Sequence, residues 1–351
     1  MTERENYLRN ARFQRPEWIP VSVHINESMW TRYGAELSEV IARHPALFPG
    51  GPRDAARLLP YDRETFFDTG KTRRDAWGCL WGYPVDGMDG IVVEEPLADW
   101  ANFDDYRFPD PETENDRQPR DWAAEARAIA LRRGAGRLTY GSLAHGFMLL
   151  RITYLRGFEN AMLDFMDDEP NLARLIRGIE AHSRHIVSRY LGMGVDVMEF
   201  PEDLGTQQSL IVSPATMRKW ILPVYRRLME PVRRAGCLVG FHSDGRVLEI
   251  LGELIDAGVD IVNPQDLVNG IDDLAREVKG RACIRLDVDR QKIIPFGTRR
   301  EIEELIEEEV RKLGSPEGGL EMIVGVYPPT PPENLDALCQ ALTKYQRWWW
   351  R

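Results

Sequence analysis

The feature that most constrains this chain is a rhythm that begins near residue 137. Short apolar runs with polar ends alternate with longer segments whose apolar residues recur at helical spacing. RLTYGS (137–142) reads as a strand, and helical sequence follows through 169–194. Next come strand VDVMEFPED (195–203), helix 213–236, strand CLVGFHSD (237–244) and helix 245–258. Strand VDIVNPQD (259–266), helix 270–280, strand CIRLDVD (283–289), helix 297–314, strand LEMIVGVY (320–327) and helix 331–346 complete the series. Two stretches echo each other, YLGMGVDVMEFPEDL (190–204) and LIDAGVDIVNPQDL (254–267). Each is a helix, a glycine suited to a left-handed cap, and a Val-Asp pair opening a strand with a polar exit. Such alternation demands a parallel sheet.

The expected fold is therefore α/β, a (β/α)8 TIM barrel with an N-terminal extension and a hairpin insertion. A chain of 351 residues suits one such domain. Residues 1–136 hold the N-terminal elaboration and the first strand, in RPEWIPVSVHIN (15–26), with a helix over 33–48. Residues 137–351 hold the regular repeats. Seven strands are evident, and the eighth is expected among the weaker central segments. There, GKTRRDAWGCLWGYPVDGMDGIVVEEPL (70–97) reads as hairpin or loop, and FPDPETENDRQPRD (108–121) as a surface connection. An open doubly wound sheet competes, but no G-x-G-x-x-G follows a first strand.

Charge narrows the partners. With 45 Lys and Arg against 56 Asp and Glu, the net charge is -11, and no basic stripe stands out. Nucleic acid and anionic lipid surfaces are not expected partners. The amino terminus lacks the apolar core of a secretory signal, and no run has the length of a membrane span. The cysteines (79, 237, 283, 339) are scattered without a C-x-x-C, as expected for reduced thiols in a cytoplasmic protein.

In a barrel of this kind the active site lies at the carboxyl ends of the strands. Those ends carry His24 and Asn26; Glu199, Glu202 and Asp203; His242 and Asp244; Asn263, Gln265 and Asp266; Asp287 and Asp289; and Tyr327. In GFHSDG (240–245), His242 and Asp244 alternate and so share one face. The set is rich in carboxylates, which suits a metal ion, a cationic group or general acid work, and not a substrate with several carboxylates. Plainer readings stand beside these. His242 and Asp244 could cap the next helix, His24 could be a satisfied core histidine, and Asp287 and Asp289 could pair with Arg285 in a turn. Trp77 and Trp81 are either a pocket wall or a hydrophobic cover. His182 and His185, among charged neighbours, are expected in solvent. RWWWR (347–351) either packs on the barrel or forms a subunit contact, and it makes a homodimer the expected assembly.

The order EDLGTQ (202–207), VSPATMRKWILPVYRRL (212–228), GFHSDG, AGVDIVNPQD (257–266), DVDRQKIIPFGTRREI (287–302) and PPTPPENLDAL (328–338) resembles the uroporphyrinogen decarboxylase superfamily. That superfamily also holds corrinoid-dependent methyltransferases and members of unassigned function. The resemblance covers most of the chain from about residue 137, and the segments ENYLRNARFQRPEWIPV, DAWGCLWG and PLADWANFDDYRFPDP are similar to its less-characterised branch. True uroporphyrinogen decarboxylases carry an R-Q-A-G-R segment near the amino end that grips propionates; here the region reads NARFQRPEWIPV. The zinc methyltransferases carry H-x-C on one strand and a further cysteine at the last strand. Here His242 matches the histidine, Asp244 replaces the first cysteine, and Val326 stands about where the second would be.

The resemblance thus implies a corrinoid-linked methyltransferase or demethylase acting on a small methylated substrate, such as a methoxylated aromatic. Its corrinoid would sit on a partner protein. His242, Asp244 and Glu199 would hold zinc or another divalent metal, and His242, Asp244 and Asp203 would hold the metal or serve as acid. His24, Trp77, Trp81, Asn263 and Tyr327 would meet the substrate. The alternatives are a cofactor-free decarboxylase using Asp203 or Asp289, and a barrel that binds without catalysis.

Overall fold

The computed structural model describes residues 1–52, 70–84, 90–116 and 118–350. Among these residues ten strands run in chain order: β1 Val21–Ile25, β2 Thr72–Arg74, β3 Leu80–Gly82, β4 Ile91–Glu94, β5 Tyr140–Ser142, β6 Val197–Asp203, β7 Leu238–Asp244, β8 Ile261–Pro264, β9 Cys283–Asp287 and β10 Leu320–Val326. Two compact units divide them, Met1–Phe67 with Asn263–Arg351, and Asp68–Val262.

In the first unit β1 pairs parallel with β10, Val21 opposite Met322 through Ile25 opposite Val326, and β10 pairs parallel with β9. A parallel bridge from Gln265 to Asp287 continues the order beside β9. Helix Glu3–Ala11, absent from the sequence expectations, opens on a capping box between Thr2 and Glu5. It lays Tyr7 against the buried pair Arg285–Glu321, where the Tyr7 hydroxyl donates to Glu321 at 2.9 Å. Trp348–Trp350 make one helical turn, with Trp349 Nε1 donating to Val310 O and Trp350 Nε1 to Pro316 O. The tail thus packs on its own unit, and Arg351 lies outside the described residues.

In the second unit β5, β6 and β7 pair parallel and in register. The sequence echo has a physical cause here. Gly194 (φ 70) and Gly258 (φ 119) end their helices in the left-handed region, as a residue without Cβ permits. The aspartate that follows each one ties adjacent strands. Asp196 Oδ2 accepts from Thr139 N at 3.0 Å, and Asp260 Oδ2 from Val239 N at 2.9 Å. On the outward face of β6, Met198 and Phe200 are fully buried, each contributing roughly 1.5–3 kcal/mol.

Seven strands are parallel among the described residues, one fewer than expected. The described strand-like sequence between β1 and β5 does not supply an eighth. Its short, glycine-broken pieces pair with one another as an antiparallel sheet, β2-β3-β4. Residues 85–89 of that hairpin region lie outside the described residues. No helix among the described residues is long and apolar enough to cross a membrane.

One buried acid in the first unit has a consequence for stability. Glu309, on helix Arg299–Leu313, is fully enclosed. Burial, and then the nearby Asp266 charge, push its carboxyl well above the usual range. The folded chain therefore holds a proton that the unfolded chain releases near the ordinary glutamate value. The penalty for keeping it is absent in acid and grows as pH rises above that value. Glu309→Gln, which keeps the shape and a donor toward Asp266, should flatten this dependence. Its melting temperature should match wild type near about pH 4 and exceed it near about pH 8, by about 2–4 °C per kcal/mol relieved. Equal melting at both values would show that the proton is not held.

Candidate metal centre

The second unit brings three ligating side chains together where β5, β6 and β7 end. β6 and β7 lie side by side with Pro201 opposite His242 and Asp203 opposite Asp244. Period-two alternation then sends Asp203, His242 and Asp244 to one face and Glu202 and Ser243 to the other. The third element is the loop after β5. It carries His145, whose Nε2 lies 3.4 Å from Asp203 Oδ2. His242 Nε2 lies 3.6 Å from Asp203 Oδ1 and 3.6 Å from Asp244 Oδ1. The two imidazoles have centroids 6.0 Å apart. Ligand atoms of His145, Asp203 and His242 all fall within 4.8 Å of one another.

Sequence reasoning missed His145. It lies in SLAHGF, three residues past the end of β5, and attention to strand ends alone passes over it. A histidine followed by glycine in the loop after a barrel strand was the available signal. Gly146 (φ 67) makes a turn that a side chain would strain, since a Cβ there would meet Leu150 Cβ at 2.9 Å. Gly146 N donates to Pro201 O at 3.0 Å, clipping the loop to β6.

Hydrogen bonds on both faces hold these strand ends. Ser243 Oγ accepts from Leu204 N at 2.8 Å, and Asp203 Oδ1 accepts from Asp244 N at 3.0 Å. The next turns meet backbone to backbone, for a Cβ on Gly205 would lie 2.6 Å from Arg246 N. Glu202, wholly buried, accepts from the amides of Met148, Leu149 and Leu150 and from the Tyr225 hydroxyl. Burial pushes its carboxyl up to about 7 against the pull of those donors. Asp203 goes the other way. Burial would raise it, but the His145 hydrogen bond and charge, the Asp244 amide and His242 together hold it below the usual carboxylate value. It is ionised at neutral pH, as a ligand must be.

The donor set fits a divalent ion. Two imidazoles and one carboxylate, with Asp244 alongside, match the three-ligand sites that leave a position open for substrate on zinc, and also suit iron(II) or manganese. Thiolates take no part. All four cysteines are buried and unpaired by disulfides, and burial raises the pKa of the two in this unit, Cys79 and Cys237.

The other expected site residues each have contacts of their own. Glu199 shares the inward face of β6 but lies four residues before Asp203, about 13 Å along the strand. Its carboxylate covers Gly240, where a Cβ would lie 2.2 Å from Oε2. In the first unit, Asn263 Nδ2 donates to Arg285 O at 2.7 Å, and His24 is exposed on β1 opposite Gly325. Tyr327 lies against Gly325, with the Arg290 guanidinium 5.8 Å from its ring centre. Asp289 caps a turn, its carboxylate accepting from the amides of Gln291, Lys292, Ile293 and Ile294.

Trp77 and Trp81 are enclosed, 3 % and 8 % exposed. Their indoles donate to Asp116 at 2.9 Å and Asp75 at 2.8 Å. Both aspartates face the buried Arg151, whose guanidinium lies 4.7 Å from the Trp77 ring centre. His182, expected in solvent, packs on Trp77 with ring centres 4.7 Å apart, and burial pushes its pKa down to about 4. Charged neighbours in sequence misled there, because the helix turns that residue toward Trp77. His185, 2.6 Å from Glu112, is partly exposed.

The family profile of uroporphyrinogen decarboxylase (URO-D) matches residues 2–345. The chain belongs to this family. Among solved structures it is similar to a methyltransferase from Methanosarcina mazei, at 16% identity and TM-score 0.63, covering 98% of this chain and 99% of that one. It is more distantly similar to a B12-independent methionine synthase from Shewanella sp. W3-18-1, at 12% identity and TM-score 0.43, covering 65% of this chain and 66% of that one. No curated protein matches. At these identities the likeness concerns the fold.

Arg151 yields a test of whether the tryptophan cluster is structural. Arg151→Met leaves Asp75 and the partly exposed Asp116 without their buried cation, and the expected loss is about 3–5 kcal/mol. Urea unfolding of the variant should show a lower midpoint with an unchanged slope. A loss below about 1 kcal/mol would mean the aspartates are satisfied without it.

Proposed function

We propose that this chain is a metal-dependent methyltransferase of the uroporphyrinogen decarboxylase family. It would take a methyl group from a small methylated substrate, such as a methoxylated aromatic, and pass it to the corrinoid of a partner protein. The observation that carries the reading is the His145–Asp203–His242 cluster at the strand ends, with donor atoms within 4.8 Å and Asp244 beside it.

His145, Asp203 and His242 would hold the ion, and Asp244 would serve as a fourth ligand or as an outer carboxylate. A divalent ion there supplies Lewis acidity, drawing electron density from the heteroatom that bears the methyl group so that it leaves more readily. The chain's own residues set the conditions. Asp203 stays ionised and faces both imidazoles, so its charge balances part of the ion's. Asp244 Oδ1 lies 3.6 Å from His242 Nε2, near enough for both to face the same ion. His145, whose side chain is 48% exposed, leaves a solvent-facing side by which substrate can reach the centre. The absence of thiolates makes this an oxygen- and nitrogen-ligated centre, harder than the two-cysteine arrangement and more tolerant of manganese or iron(II). The decarboxylase alternative gains little from Asp289, whose oxygens are committed to main-chain amides.

The test is metal content by elemental mass spectrometry, beside methyl transfer followed by the visible spectrum of free cobalamin. Wild type should carry near-stoichiometric zinc, manganese or iron. His145→Ala and His242→Ala should lose it, and Glu199→Ala should keep it. Demethylation of methoxylated aromatics by cob(I)alamin should follow metal content across the series. Wild-type protein that stays metal-free after incubation with each ion would remove the metal mechanism. Retention by both histidine variants would remove this ligand set.

A further inference from the structure

Glu202 stands one residue from Asp203, on the opposite face of β6, and has no exposure. A buried carboxyl is costly unless its oxygens are satisfied, by several kcal/mol for an ion left bare. Here four donors converge on it. Oε2 accepts from Met148 N at 3.1 Å, Leu149 N at 2.8 Å and Tyr225 Oη at 3.0 Å, and Oε1 accepts from Leu150 N at 3.1 Å. Three of these are main-chain amides at the start of helix Leu149–Arg156, where amides have no partner within the helix. The helix makes no cap of its own, since Met148 offers no side-chain acceptor. A strand residue distant in sequence therefore caps it.

Only two residues separate this cap from His145. Between them, Gly146 N is bound to Pro201 O, and Phe147 is buried edge-on to Phe200 with ring centres 5.6 Å apart. Phe147 also packs on Tyr225, at 5.2 Å, the same tyrosine that donates to Glu202. Each tie from the 146–150 segment reaches β6 itself or a residue packed on it. The strand that presents Asp203 on one face thus holds, from the other, the loop that presents His145.

We infer that Glu202 is the positioning residue of the centre, clamping the loop after β5 to β6 so that His145 stays within reach of Asp203. This rests on the metal reading above for its functional meaning, while the clamp itself is made of the chain's own hydrogen bonds. The Glu202 oxygens bind the amides of 148–150 and the Tyr225 hydroxyl and not the ligand side chains, so it acts through His145. Loosening it frees the loop and removes one ligand from the set, and the remaining pair binds more weakly.

The experiment uses the full chain and zinc(II) alone, titrated against a chromophoric chelator, with wild type, Glu202→Ala, Glu202→Gln and His242→Ala. Metal-free samples are compared by hydrogen exchange over 145–150 and by the rate at which diethyl pyrocarbonate modifies His145. Glu202→Ala should lower zinc affinity about 10–100-fold, the loss seen when a residue that orients a ligand is removed. Glu202→Gln, which keeps one acceptor oxygen, should recover part of it. Exchange over 148–150 and modification of His145 should quicken in the same order, while exchange in helix Arg299–Leu313 of the other unit stays as in wild type. Wild-type affinity in Glu202→Ala overturns the inference and leaves the metal centre standing. If wild type binds no zinc, the metal reading fails separately. The clamp is then judged on His145 alone: faster modification in the variants upholds it and an unchanged rate overturns it. Should the alanine variant not fold, the same two readouts on Glu202→Gln decide.

Discussion

The parallel pairing of β6 with β7 is the constraint from which the site follows. With Pro201 opposite His242 and Asp203 opposite Asp244, one face of the pair carries Asp203, His242 and Asp244. The other carries Glu202 and Ser243, whose side chains bind main-chain amides of neighbouring turns. A slip of one residue would exchange the faces, burying the ligands and exposing their supports. Apolar residues on the supporting face oppose that slip, since Phe200 and Phe241 would leave the core in the same movement.

Two carboxyls one residue apart show how little sequence distance says about electrostatics. Asp203 is drawn down by His145, the Asp244 amide and His242 despite burial, and Glu202 is lifted to about 7 by burial despite four donors. The difference lies in what surrounds each face. Asp203 meets imidazoles and partial solvent, whereas Glu202 meets aromatic rings and neutral dipoles, which solvate a charge less well than water does. Two carboxyls can therefore be neighbours in the chain and still hold their protons at different pH.

Much of this was legible beforehand. The alternation of elements, the left-handed glycines after two helices, and the shared face of His242 and Asp244 all follow from periods of 3.6 and 2. Asp244 and Val326, at the positions where the resemblance to zinc methyltransferases implies cysteines, were also visible as letters. His145 was not, because a loop has no period and its position depends on three ties to β6. The tryptophans at 77 and 81 resemble a pocket wall in sequence. Their burial around Arg151 depends on Asp75 and Asp116, and Asp116 is distant enough in the chain that no local pattern pairs it with them. That the described residues hold seven parallel strands and not eight has the same origin, since short segments with strand character took one another as partners.

The amino-acid order was enough for the α/β class, the family and the carboxylate-rich strand ends, since each rests on local periodicity or on a contiguous motif. Which ends meet is a matter of register and of distant contacts. Folding set Asp203 beside His242, left Glu199 about 13 Å back along the same strand, and brought His145 in from a loop. The reason is geometric. Alternation along a strand says which face a side chain takes, but not how far along a neighbouring strand its partner will lie. That distance comes from hydrogen bonds and core packing between segments far apart in the chain, with Glu202 on the amides of residues 148–150 as the clearest instance.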